Sequence, residues 1–206
     1  MASFHNRSLI RAALVAVSTV AFAACGETGP NGSTSLSIRL KDVPSELQKA
    51  VVTISEVDLV GSNGTIVLSS TPVTVDLLTL AAQTMDLVKD ATVPSGTYTQ
   101  LRFKISGAYI ETGTPGVTTS IYATSPTYAG LPAGTQVTGD LQTPSFDQSG
   151  LKVTMQDNSL VIEGDQKILL VDFDVSQSFG HAAGQSDNWV MHPVITGGTL
   201  TASGGV

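Results

Sequence analysis

The chain has one cysteine, Cys25, in 206 residues, so no disulfide can be formed within it. Aromatic residues make up 5 % with a single tryptophan, Trp189, which leaves no run of stacking side chains of the kind that holds bases. Charged residues are 13 %, about half the usual quarter. Basic residues are few: 10 against 17 acidic, so a phosphate backbone is an unfavourable partner and nucleic acid is excluded as an expectation. Of three histidines, only His181 and His192 lie beyond residue 24, and neither stands in an H-E-x-x-H or similar metal-ligand spacing. No G-x-S-x-G elbow occurs, and the Ser-Gly pairs suit turns. No cofactor is implied, and the chain reads as a non-enzyme. His192, directly before Pro193, reads as a packed or edge residue rather than a base.

What is present begins at the N-terminus. Arg7 and Arg11 precede a small, apolar run from Ala12 to Ala24 that stops at Cys25. A basic start, an apolar core of about 7 to 15 residues and small residues at the end form a secretory signal. A membrane span would need about 20 apolar residues. Ala23, Ala24, Cys25 and Gly26 resemble a lipobox, with Phe22 where leucine is usual, which implies cleavage after residue 24 and acylation of Cys25. The alternative is an ordinary cleaved signal that leaves Cys25 as a free thiol. Gly26, in place of an aspartate, predicts outer-membrane rather than inner-membrane placement in a bacterium, with the lipid anchor as the membrane contact. Without residues 1–24 the charges are 8 basic and 17 acidic, net −9.

Residues 25–34 carry Gly, Pro, Asn and Ser without apolar period and predict a flexible tether. From 35 to 196 strand patterns follow one another. Leu36, Ile38 and Leu40 alternate with Ser37 and Arg39, and Ala50–Val60 is a β-branched run. Gly61-Ser62-Asn63-Gly64 turns it into Thr65–Leu68 as a hairpin. Val73 and Val75 form another strand. Leu78, Ala81, Met85 and Val88 share one helical face and predict a short helix within 77–90. Leu101, Phe103 and Ile105 alternate with Arg102 and Lys104. Residues 113–139 form a long Thr, Gly and Pro-rich excursion around a strand at 117–122. Strands at 151–154, 160–162, 168–175 and 189–195 follow, and 197–206 reads as a flexible tail. Many short strands with turn signals predict an all-β fold: a single antiparallel β-sandwich, transthyretin-like or Ig-like Greek key.

Two constellations remain. Asp172 and Asp174 share the face opposite Leu169, Val171 and Phe173, as Glu56 and Asp58 share a face of their strand. Asp172 and Asp174 are candidates for a hard cation, but strand carboxylates cannot wrap one as loops do, and ion pairing with Arg102 and Lys104 is the favoured reading. Tyr109, Tyr122 and Tyr128 around the excursion are candidates for a binding edge, against the reading that they cap one end of the sandwich.

In order along the chain, several segments resemble the bacterial family catalogued as domain of unknown function 4382. They are Ser35–Leu40 with Lys41-Asp42-Val43-Pro44, Val51–Val57, Val75-Asp76-Leu77-Leu78, Pro94-Ser95-Gly96-Thr97-Tyr98-Thr99-Gln100-Leu101-Arg102, Ser149-Gly150-Leu151-Lys152, Leu170-Val171-Asp172-Phe173-Asp174 and Met191-His192-Pro193-Val194. The Pro-x-Gly-x-Tyr segment is also similar to transthyretin-like and carboxypeptidase-regulatory domains. The resemblance implies an exported lipoprotein with a β-sandwich and brings no activity, substrate or site residue. The expected role is therefore binding of an envelope or extracellular protein or glycan. A structural or assembly module of the envelope is the alternative, and an envelope hydrolase the third reading.

Overall fold

Apolar alternation becomes burial where it is strongest. The computed structural model describes residues 32–42, 47–114, 116–143, 149–155, 157–164, 166–182 and 188–201. The expected signal peptide, Cys25, most of the tether and residues 202–206 lie outside them. The chain is all-β. Its strands are β1 (Ser33–Asp42), β2 (Lys49–Gly61), β3 (Gly64–Ser69), β4 (Val73–Asp76), β5 (Met85–Pro94), β6 (Gly96–Thr114), β7 (Thr118–Ala123), β8 (Gly139–Gln142), β9 (Leu151–Met155), β10 (Leu160–Ile162), β11 (Lys167–Asp174), β12 (Phe179–His181), β13 (Trp189–Met191) and β14 (Val194–Thr201). One helical turn, α1 (Val175–Ser178), follows β11. Among the described residues no helix is long and apolar enough to cross a membrane.

All the strands join one large mixed sheet, along the path β12, β13, β8, β7, β6, β9, β14, β11, β1, β5, with β10 and β2 also on β6 and with β3 and β4 on β2. The purely antiparallel arrangement expected from the sequence is corrected by four parallel pairs: β1 with β11, β14 with β9, and β8 with both β7 and β13. The sheet curls on itself. Leu36, Ile38 and Leu40 of β1, Val52 and Ile54 of β2, Leu101 and Phe103 of β6 and Val171 and Phe173 of β11 share a single buried cluster, although β1 lies near one end of the path and β2 lies off it, on β6, so the two stand on separate flanks of the sheet. The 3-10 turn Leu77–Ala81 touches both flanks and buries Leu77 and Leu80 between them.

The helix expected within 77–90 is not formed. Asp76 accepts a hydrogen bond from the Leu78 amide and caps only the short 3-10 turn, and Met85 onward enters β5. A bulge disguised this strand: the β1–β5 register slips around Ile38, which puts the neighbours Leu87 and Val88 both in the core, and Asp90 takes a left-handed φ of 51°. Aspartate tolerates that conformation better than most residues, and Ser37 holds it by accepting from the Asp90 amide at 3.1 Å.

Both boundaries of the domain extend beyond the expected 35–196. Ser33 and Thr34 are already paired with Pro94 and Val93. At the other end, residues 197–201, read from sequence as tail, belong to β14, which pairs with β11 along its whole length. Glycine made that segment look like loop, yet a Cβ on Gly197 would stand 3.1 Å from both Met155 Sδ and Val153 Cγ1, so the residue permits close approach of β9.

The longest strand, β6, carries the feature that builds the site. After Tyr98 its core residues are Leu101, Phe103 and Ile105, then Ala108 and Ile110, so the inward parity switches between Ile105 and Ala108. The register with β2 passes from Ile54↔Ile105 to Thr53↔Gly107 and leaves Ser106 unpaired as a bulge. Beyond it Gly107 and Tyr109 point to the opposite surface of the sheet.

Candidate functional site

On that outer surface Val51, Tyr109 and Ala123 form a second, smaller apolar cluster, covered by Ile121, Tyr128, Leu131 and Val137. The excursion expected after residue 113 is thus a folded flap. Backbone bonds from Tyr128 to Ser125 and from Leu131 to Tyr128 turn it, and the Thr138 amide returns it to the Ile121 carbonyl at 2.7 Å.

Tyr128 pins the flap. Its ring lies in a slot between Gly107 and Gly130, where a Cβ on Gly130 would come within 2.5 Å of the phenol oxygen and one on Gly107 would stand 2.4 Å from the ring carbons Cδ2 and Cε2. The ring meets Tyr109 at a centroid distance of 6.3 Å, tilted by 56°. Its hydroxyl is 2.5 Å from Thr53 Oγ1, which is in turn 2.7 Å from Thr74 Oγ1.

Beside this pin a half-open cleft of about 450 Å³ lies over β2, β4 and β6. Seven of its ten lining residues bear hydroxyls: Tyr128 and Thr53, Thr74, Ser106, Thr124, Ser125 and Thr127. No lining side chain is a carboxylate, ammonium, imidazole or thiol. Some hydroxyls hold the flap: Thr124 Oγ1 accepts from the Ala108 amide at 3.1 Å, and Ser125 Oγ lies 3.0 Å from Thr127 Oγ1.

The three tyrosines expected to share an edge divide between two places. Tyr109 is buried under Tyr128 in the outer cluster. Tyr122 belongs to the main core and meets Trp189 at 5.9 Å, while Trp189 lies 4.3 Å from the His181 ring. Of the three, only Tyr128 lines the cleft. His192 is exposed, and its amide donates to the Ser178 carbonyl.

The expected pairing of Asp172 and Asp174 with Arg102 and Lys104 is overturned by strand order. β9 and β14 separate β6 from β11, so each charge takes a nearer partner. Asp172 pairs with Lys41, directly opposite it on β1. Asp174 caps α1, accepting from Ser176 Oγ at 2.6 Å and from the Gln177 amide at 3.1 Å, and the Ser176 bond is the main reason its carboxyl is held below the usual aspartate value. Lys104 serves Glu56, its register partner, with Asp58 at 3.7 Å. That contact lowers the Glu56 carboxyl, while loss of solvent, followed by Glu56 itself, raises Asp58. Arg102 donates instead to Gln100 Oε1, at 2.8 and 2.7 Å. Among the described residues no group of three or more His, Cys, Asp or Glu side chains is placed to hold a metal ion.

Burial raises the hydroxyls of Tyr98, Tyr109 and Tyr128 above the ordinary tyrosine value. Lys49 is raised chiefly by its hydrogen bond to Glu111, and Lys104 chiefly by that to Glu56. All five shifts have one sign. Each group binds its proton more tightly in the folded state, so its stabilisation is complete below the unfolded value, about 10 to 10.5, and is lost as pH rises through the raised one. Urea midpoints should therefore fall above about pH 10, with tyrosinate absorbance rising together with loss of the far-ultraviolet signal. Ionisation of Tyr98, Tyr109 and Tyr128 in a chain that keeps its native circular dichroism would refute this packing.

A comparison with family models matches residues 33–193 to the one described as Domain of unknown function (DUF4382). The chain belongs to that family. The DUF4382 region runs from the first residue of β1 to the residue before β14, and so contains the pin, the flap and the cleft. No curated protein and no solved structure matches the chain.

The cleft residues were not legible as a site. They come from four separate segments, none with a motif, and are threonine and serine in a chain rich in both. The available signals were Gly107 inside an otherwise regular strand and Gly130 inside the excursion, since glycine in such places marks a close approach.

Proposed function

We infer that this DUF4382 protein is an exported lipoprotein, held at the bacterial outer membrane by an acylated Cys25, whose β-domain binds an envelope or extracellular protein or glycan and catalyses no reaction. The curled sheet is read as a β-sandwich with the two flanks as its layers. A transthyretin-like or Ig-like Greek key is the form this reading takes, with parallel pairs such as β1 with β11 among the antiparallel ones.

The observation that supports a binding role is the cleft. A hydroxyl-rich, half-open pocket offers donors and acceptors for recognition, whereas a serine or threonine nucleophile needs an adjacent base, and the lining supplies none. A structural role in the envelope is the second reading, favoured by β5, which ends the sheet path with β1 as its one partner strand among the described residues.

The anchor is tested first. Cys25→Ser should abolish incorporation of a fatty-acid analogue and move the protein from the detergent phase to the aqueous phase, with the precursor left uncleaved. Wild-type protein that takes up no label is not a lipoprotein. For the binding role, wild-type protein immobilised through its C-terminus should retain a specific envelope component that a flap variant, Tyr128→Ala, does not.

A further inference from the structure

The lining of the cleft specifies a chemical class. A charged ligand would leave water for a surface without an opposite charge, an uncompensated cost. A purely apolar ligand would strip water from Ser106, the one lining hydroxyl without a partner among the described residues, and return no hydrogen bond. At Thr53 no peptide can add to β2 as a strand, because β2 is already paired on both sides, with Thr74 of β4 and Gly107 of β6.

What remains is a neutral molecule that is itself rich in hydroxyls. The chain Tyr128, Thr53, Thr74 has no fixed polarity, since either oxygen of each pair can donate. Its outer end at Thr74 can thus present a proton or a lone pair, as a sugar hydroxyl can. Ser106, thrust out by the β6 bulge, is exposed and, among the described residues, has no side-chain hydrogen bond within the protein. Pro72 and Ala129 add apolar surface for the C–H face of a ring. The volume falls in the range of small-ligand sites, about 300 to 1,000 Å³.

We propose that the cleft between the 124–130 flap and the outer face of β2, β4 and β6 is a binding site for a neutral saccharide, with Thr74, Ser106 and Thr127 as its hydrogen-bonding residues. This rests on the reading of the protein as a binding module.

The test uses the full-length, acylated protein in detergent micelles, titrated by calorimetry and by saturation-transfer NMR with neutral pentasaccharides of glucose, xylose, mannose and N-acetylglucosamine, and with an acidic oligogalacturonate. At least one neutral sugar should bind and the acidic one should not. Thr74→Val combined with Ser106→Ala should weaken binding about tenfold or more, as expected for the loss of two hydrogen bonds to the ligand, with only a small fall in melting temperature from the lost, exposed Thr53–Thr74 bond. If that pair disturbs folding, Thr127→Val on the flap should show the same direction of effect. The proposal is overturned if no neutral sugar binds, if the acidic sugar binds better, or if binding survives in the folded variants. Retention of a sugar-free envelope protein through the same residues would remove the saccharide and leave the binding module standing. Failure of both sugars and envelope material to bind would remove both.

Discussion

Replacing Phe173 by alanine should cost about 3 to 5 kcal/mol of folding free energy, the range for removing a fully buried aromatic ring. Phe173 has no exposed surface and stands in β11 opposite Ile195 of β14 and Asp42 of β1. Central strands on both sides limit how far the backbone can collapse into the vacated space, which puts the cost toward the upper part of that range. Thr99 is the contrast. It is exposed, and its hydroxyl reaches only the Val60 carbonyl at 3.4 Å, so Thr99→Ala should cost under about 1 kcal/mol. Urea denaturation of both variants decides the matter, with an unchanged slope showing that the transitions are comparable. Small, equal losses would mean that the inward face of β11 is wrongly assigned.

This pair also marks how far the residue pattern could be read. Period two held for Leu36, Ile38 and Leu40, whose register with β11 is unbroken, for the hairpin across Ser62-Asn63 and for the inward row of β11. It failed at bulges. In β5 two adjacent apolar residues turn inward and imitated a helical spacing, and in β6 the extra Ser106 reversed the parity. A bulge depends on the partner strand, so neither chain segment announces it alone.

Charge pairing failed for a related reason. Asp172 and Arg102 are complementary in type, and nothing in the sequence orders β6, β9, β14, β11 and β1 side by side. Neighbourhood in the sheet selected Lys41 for Asp172 and Glu56 for Lys104. The tyrosines show the same limit. Parity alone sends Tyr109 inward with Ile105, and only the intervening bulge brings it out beneath Tyr128.

That arrangement makes Gly107 the most informative position near the cleft. A Cβ there would stand 2.4 Å from two carbons of the Tyr128 ring, a side chain held by its own slot, so Gly107→Ala should displace the pin and cost about 1 to 3 kcal/mol as an overpacking substitution. The main core is on the other surface of the sheet and should persist, so the variant is expected to fold, with a lower melting temperature and faster proteolysis within 124–131. Its loss should depend on the ring. In a Tyr128→Ala background the added methyl has nothing to strike, and Gly107→Ala should there cost close to zero, a coupling that a double-mutant cycle measures directly. An equal cost in both backgrounds would place the strain in the β6 backbone and separate Gly107 from the slot. Coupling together with loss of ligand binding would instead connect the bulge at Ser106, through the pinned tyrosine, to the shape of the cleft.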